Sequence, residues 1–407
     1  MKKTWGLLAA AALALAACGG QDADDAGSGG NGSGGNASAD ESGPITIAAL
    51  WEVSGESDVA VDDFQRGAEI AVAALNEAGG IDGREVVLER FAASPLDPAS
   101  TATAVQKALD AEPSAMVGPL VAGQIQATSA AIERGGVPVI PIGNADPTVI
   151  AGGDSASDHV WFVNSYIPAL VDAGVDYLTE DLGLTEIGVI GTDEPFGQTG
   201  VEQAIASLDE AGLEPVGGEQ LYAPDATDLT QQVLAVESAE AVVNWGFPNP
   251  IAVQLNQLVQ NDIAIPTLTG PSAPVVVDNG LAEGEAIDDL LAVMTCNPGV
   301  DESDASTAFV EAYEAEHGAT PSSNAALAHD AVLIAAAAIS DAGSSDPAAV
   351  QEAMADVEVT DGACAESYAA DEAHVLNHQI QIVAYAADGS STTEKVVEGE
   401  PVARADG

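Results

Sequence analysis

The side chains best suited to nucleophilic or metal chemistry are three cysteines and five histidines. His374 and His378 stand four apart beside Asp371 and Glu372. On one helix face that spacing would hold a metal ion, but the residues around it carry no helical pattern. Surface histidines are the simpler reading, and no metal is expected. There is no Walker A run, no G-x-G-x-x-G after a strand pattern and no G-x-S-x-G elbow. No nucleophile stands with a partner base, so neither catalysis nor a cofactor is expected.

Lys2 and Lys3 precede an apolar run at 7–17, which ends in Leu15-Ala16-Ala17-Cys18. The run is too short to cross a ~30 Å hydrocarbon layer as a helix, so it reads as an export signal. Its ending resembles the lipobox of bacterial lipoproteins. The resemblance implies a cut before Cys18 and a lipid on its thiol. A plain signal peptide with an incidental cysteine is the alternative. Residues 1–17 are expected as signal and 18–43 as a tether of Gly, Ser, Asn and Asp. The tether would reach about 25–30 Å. The expected location is outside the cytoplasm, anchored to the cell membrane by lipid. There, Cys296 and Cys364 form an even pair in an oxidising compartment. A bridge would contribute up to about 4 kcal/mol on a chain-entropy basis. Two buried free thiols are the alternative.

The chain carries 65 acidic and 9 basic residues, for a net charge of −56. That balance excludes duplex nucleic acid as a partner, because binding its phosphates needs Lys and Arg. A hydrophobic fraction of 47% excludes a disordered acidic chain. The preferred explanation is an acidic surface suited to concentrated salt. At ~1 M salt the Debye length is about 3 Å, which screens neighbouring carboxylates. A divalent-cation store is the rival explanation, but no D-x-[DN]-x-[DN]-G loop occurs. No segment after the signal has 18 uncharged apolar residues, so no transmembrane helix is expected.

Elements that could position a site follow in alternation. Strand patterns fall at 45–50, 86–88, 115–117 and 137–140, with helical patterns at 63–78, 99–110 and 124–134 between them. A second series runs helix 169–181, strand 187–190, helix 199–211, strand 216–221, helix 228–236, strand 241–244, helix 251–260 and strand 266–269. Helices at 306–316, 325–341 and 347–354, a strand at 380–386 and a polar tail complete the chain. This rhythm implies parallel sheets with helices on both faces.

Residues 45–84 contain Ser54-Gly55, Arg66-Gly67-Ala68 and Leu75-Asn76-Glu77-Ala78-Gly79-Gly80-Ile81-Asp82-Gly83-Arg84. Val117-Gly118-Pro119, Gly136-Val137-Pro138-Val139-Ile140, the 187–197 run IGVIGTDEPFG, the 313–321 stretch and Ala328-His329-Asp330-Ala331-Val332 follow in order. Together they resemble the periplasmic-binding-protein type 1 family, specifically solute-binding lipoproteins of branched-chain amino acid ABC importers. The resemblance implies an α/β fold of two doubly wound parallel-sheet lobes joined by three crossover hinge strands. Lobe 1 would be 44–163 plus 295–378, and lobe 2 would be 164–294 plus 379–407. It also implies a monomer that takes a small solute in the interlobe cleft and delivers it to permease and ATPase subunits. A ligand-sensing receptor subunit on the same clamshell is the alternative.

Carried over by position, the resemblance implies solute contacts from Trp51, Ala122, Gly123, Gly143, Asn144, Ala145, Phe196, Phe247 and Ser272, with Asn164 able to satisfy an amide or carboxylate. Ala122 and Ala145 stand where amino-acid binders of this family usually carry hydroxyls for the ligand carboxylate. Backbone donors remain there. Ser272 stands where an acid often pairs with the ligand ammonium. A buried ammonium without a counter-ion costs several kcal/mol. Either Glu52, Asp58 or Asp193 replaces that acid, or the solute is less polar. Trp51, Trp245, Phe196 and Phe247 would suit an apolar or aromatic body, with core packing as the alternative for each.

Overall fold

β1 (Ile45–Trp51) is buried at all but one of its residues. α1 (Ala60–Glu77) follows, and Phe64, Ala68 and Ala71 recur on its buried face at helical spacing. β2 (Val86–Ala92), α2 (Pro98–Asp110), β3 (Ala115–Val117), α3 (Ala122–Gly135) and β4 (Val139–Ile140) complete a parallel sheet in the order β2-β1-β3-β4. This computed structural model describes residues 43–51, 60–94, 97–298, 300 and 303–405. The expected signal, Cys18 and the tether up to residue 42 lie outside the described residues, as do Ser54, Gly55, Glu52 and Asp58.

The chain then builds a second sheet. α4 (Ile167–Asp176) runs into a π turn at Tyr177–Asp181, where the sequence pattern predicts one continuous helix. Next come β5 (Ile187–Thr192), α5 (Pro195–Glu210), β6 (Val216–Tyr222), α6 (Thr230–Ala235), β7 (Ala241–Trp245), α7 (Pro248–Gln260), β8 (Thr267–Thr269), α8 (Ala273–Asp278) and β9 (Leu290–Met294). Its central strands read IGVIGT, AVVNW and LLAVM, near-continuous apolar runs buried on both faces. α8 and β9 are absent from the sequence expectation. LLAVM is five residues long, and periodicity does not separate so short a run from a helix turn.

α9 (Asp304–His317), α10 (Ser323–Ala342) and α11 (Pro347–Ala353) return to the first lobe. α10 is long and apolar enough to cross a membrane, yet it is a core helix here. It packs on α1 so closely that a Cβ on Gly67 would meet the Ala325 carbonyl oxygen at 2.0 Å. The hairpin strands β10 (Glu358–Thr360) and β11 (Ser367–Ala369) follow. β12 (Gln379–Tyr385) and β13 (Ser391–Glu398) add antiparallel edges to the second sheet, ordered β13-β12-β9-β8-β7-β5-β6. β13 replaces most of the expected polar tail. Its side chains alternate between half-buried and exposed, as an edge strand with one wet face requires.

The chain crosses between lobes near residues 164, 295 and 378, and the crossings are hydrogen-bonded to one another. The Thr295 hydroxyl donates to the Asn164 amide oxygen. The Ser165 hydroxyl donates to the Gln379 carbonyl at 2.8 Å, and Gln379 Nε2 donates to the Thr295 carbonyl at 3.3 Å. Cys296, directly after Thr295, is joined to Cys364 by a disulfide. Residues 399–405, expected with lobe 2, lie instead against lobe 1. Val402 N donates to Asp371 at 2.7 Å, Ala405 N donates to the Ala151 carbonyl at 3.0 Å, and Arg404 pairs with Asp158 at 2.7 Å.

Candidate functional site

In both lobes the carboxyl ends of parallel strands feed the loops that carry the expected residues. An open α/β sheet leaves its ligand crevice at such ends. On lobe 1, β3 leads to the first turn of α3. Gln124 Oε1 accepts from the N–H groups of Leu120 and Val121, both at 3.1 Å, and so shapes the entry. Ala122 and Gly123 open the helix, where backbone N–H groups and the helix dipole favour an anion. Gly143, after β4, lies against this loop. A Cβ there would come within 1.6 Å of the Leu120 carbonyl oxygen, so only glycine fits.

The rest of the 143–145 loop is zipped to the first crossing. Ala145 is fully buried, and its N–H is spent on the Ser165 carbonyl at 3.1 Å. The backbone donor expected at 145 is therefore occupied, because the loop pairs with the crossing segment. Asn144 Nδ2 reaches both Asn164 Oδ1 and the Ser165 carbonyl at 3.2 Å. Asn164 is 4% exposed. Its oxygen accepts from Ser165 N, Asn144 and Thr295, and its Nδ2 donates to the Ile142 carbonyl at 3.1 Å. The structure uses this amide as a clasp between crossings. Trp51 is 2% exposed in the lobe 1 core beside Phe64, with its indole N–H on Gln65 at 3.0 Å.

On lobe 2 the aromatic residues come together. The rings of Phe196 and Phe247 are near parallel, with centroids 5.9 Å apart and 17° between planes, and both are half-buried. Phe196 also meets Trp245 at 5.9 Å. Trp245 is fully buried, and its indole N–H has no partner among the described residues. Ser272 opens α8, and its hydroxyl donates to the Gly246 carbonyl at 2.7 Å. That bond ties the loops after β7 and β8 together. Asp193 is exposed, and its carboxylate accepts from Gln198 at 2.8 Å.

Three features were missed in the sequence. Glu194 caps α5, accepting from Gly197 N at 2.8 Å and Phe196 N at 3.1 Å. An acid directly before a proline at a helix start is the signal that finds it. Tyr222, Asn244, Gln254 and Thr267 form a buried chain of side-chain hydrogen bonds under lobe 2. Burial raises the Tyr222 phenol, so it stays a neutral donor to Asn244. Asp146 accepts from Thr199 at 3.0 Å, which links the two lobes directly, and no short-range signal finds that pair. The Tyr166 hydroxyl is pushed up to about 12, first by burial and then by the charges of Asp146 and Asp172.

The described cavities lie elsewhere. One of about 500 Å³ sits on lobe 2 among Pro224, Thr227, Asn249, Ala252, Asn256 and Leu281. Another, about 200 Å³, lies beside Arg84 and Gly343 on lobe 1. None of the expected solute residues lines either one.

Two α/β lobes, three linked crossings and facing strand ends define a type 1 periplasmic binding fold. Residues 44–390 match the model of the periplasmic binding protein family, and the chain belongs to that family. The chain is 26% identical over 352 residues to the Leu/Ile/Val-binding protein homolog 7 of Brucella abortus, covering 81% of this chain and 85% of that protein. Its fold is similar to a leucine binding protein from Thermotoga maritima, with a TM-score of 0.76, 22% identity and 87% and 99% of the two chains covered. A solute binding protein of an ABC transporter from R. palustris, in complex with benzoate, gives a TM-score of 0.74 at 16% identity, with 89% and 98% covered. The matched family is one of binding proteins.

Proposed function

We propose that this protein is an extracytoplasmic solute-binding lipoprotein, anchored through Cys18, that delivers a small solute unchanged to an ABC importer. The solute is branched-chain amino acid-like, or a related amide or aromatic or apolar acid. It sits between the lobes, with its apolar body against Phe196 and Phe247 and its acceptor group toward the first turn of α3 at Ala122 and Gly123. Gly143 and Asn144 border it on lobe 1, and Ser272 borders it on lobe 2.

The observation that supports this reading most is the stacked Phe196–Phe247 pair beside a Ser272 hydroxyl already bonded to Gly246. That wall offers apolar area, and Ser272 itself brings no charge to it, which favours an acid or amide over an ammonium. The names of similar proteins supply both poles of the range, leucine and benzoate.

A thermal-shift screen in molar salt tests it. The panel holds leucine, isoleucine, valine, short amides, urea and benzoate. A ligand at one hundred times its Kd stabilises by about 2.7 kcal/mol, enough for a clear rise in Tm. The reading expects an aromatic or apolar acid, or an amide, among the stabilising solutes. Stabilisation by branched-chain amino acids alone would show that Ser272 does not mark a lost counter-charge.

A further inference from the structure

Asp146 is 1% exposed, and none of the described ion pairs includes it. A carboxylate so buried needs hydrogen bonds on both oxygens. One oxygen is satisfied inside its own loop, by Thr148 N at 2.9 Å and the Thr148 hydroxyl at 2.6 Å. The other takes the Thr199 hydroxyl at 3.0 Å. Asp146 follows the lobe 1 loop at 143–145, whereas Thr199 belongs to α5 of lobe 2. Among the described residues, the second oxygen is completed by the opposite lobe.

The Thr199 hydroxyl does not back-bond to its own helix, and in this it is like Thr101 and Thr230, which also bond elsewhere. Thr103, Thr128 and Thr179 each bond back to the carbonyl four residues earlier. Such back-bonding is one local option for a threonine in a helix. Thr199 instead reaches outward to the charged acceptor, and a bond to an ionised acceptor is the stronger kind. Thr199 also lies three residues after Phe196, on the same side of the first turns of α5. Holding Thr199 holds the turn that carries Phe196.

We propose that the Asp146–Thr199 hydrogen bond is an interlobe latch, with Asp146 a positioning residue that sets Phe196 against the lobe 1 loop. The proposal rests on reading this crevice as the solute site. Separating the lobes breaks the bond and forces Asp146 to take water in place of Thr199. The latch therefore shifts the balance toward the present arrangement before any solute arrives.

The test uses the full chain without solute. Spin labels are placed at K107C and E219C, exposed positions on opposite lobes, and the distance distribution is measured at fixed salt. Cys296 and Cys364 are bridged and take no label. Thr199→Val keeps the shape of the side chain and removes the donor. It should raise the ratio of separated to latched lobes by about tenfold. Thr199→Ser should restore the original distribution. An unchanged distribution in Thr199→Val, with Tm retained, overturns the latch. A shift in Thr199→Val that Thr199→Ser does not reverse also overturns it, because packing and not the hydroxyl would then hold the lobes. Solute binding to the unaltered chain is measured separately, so a failed ligand screen and a failed latch are told apart.

Discussion

Asp330 on α10 accepts the backbone N–H of Cys364 at 2.8 Å, so one buried carboxylate holds one arm of the disulfide that ends at the second crossing. The same carboxylate accepts Ala363 N at 2.8 Å and the Tyr368 hydroxyl at 2.5 Å. Burial, and next the charge of Asp330, keeps that phenol far above its ordinary pKa, so it stays a donor. Asp330→Ala would leave these three donors, and His329 Nδ1 at 2.8 Å, without that acceptor. It should lower unfolding stability by about 3 kcal/mol or more, read by urea denaturation at fixed salt. A loss below about 1 kcal/mol would show that water replaces the carboxylate.

The disulfide itself should matter in the same direction. Paired Cys296→Ser and Cys364→Ser substitutions should cost about 2–5 kcal/mol, measured the same way. They should also speed amide exchange near Thr295, since the second crossing loses its covalent tie to the 361–366 loop.

Acid should weaken the fold through His374. Its ring stacks on Trp161 at 3.7 Å, and burial lowers its pKa below the ordinary value near 6.5. The unfolded chain therefore takes up the proton first as pH falls below about 6.5. Stability from this group is complete above that pH and declines below it, down through the depressed folded value. Tm measured at pH 7.5 and pH 5 should fall more for the natural chain than for His374→Gln. Equal falls would show that His374 does not carry the acid sensitivity.

The acidic surface makes a prediction about salt. With a net charge of −56, self-repulsion in dilute buffer opposes the compact state. Raising salt from about 0.1 M to about 2 M shortens the Debye length several-fold. The urea midpoint should rise steeply over that range. A flat response would mean that the carboxylates are already compensated within the fold.

Restoring a charge at Ser272 should redirect the site. Ser272→Glu places a carboxylate beside the Phe196–Phe247 wall. It should weaken benzoate by tenfold or more and strengthen leucine, as calorimetric Kd values would show. Unchanged preferences would place the solute away from α8.

The β1 and β5 runs and the Gly79-Gly80 stop of α1 were legible because each is a local pattern. β9 was not, since five apolar residues fit either element. The resemblance marked Phe196 and Phe247 for one site, and the fold does stack them. The fate of Asn164 was illegible, because its amide is saturated by groups more than a hundred residues away as well as by neighbours. Trp51 shows the same limit. The resemblance pointed it at solute, while tertiary packing sends it beneath α1.

The solute is proposed to be gripped between the lobes against Phe247. Titration calorimetry of the strongest stabilising solute, on the natural chain and on Phe247→Ala, decides whether it is. One saturable site in the micromolar range is expected, with the solute recovered unaltered and a loss of tenfold or more in Phe247→Ala. Equal affinity in both chains, or consumption of the solute, would contradict it.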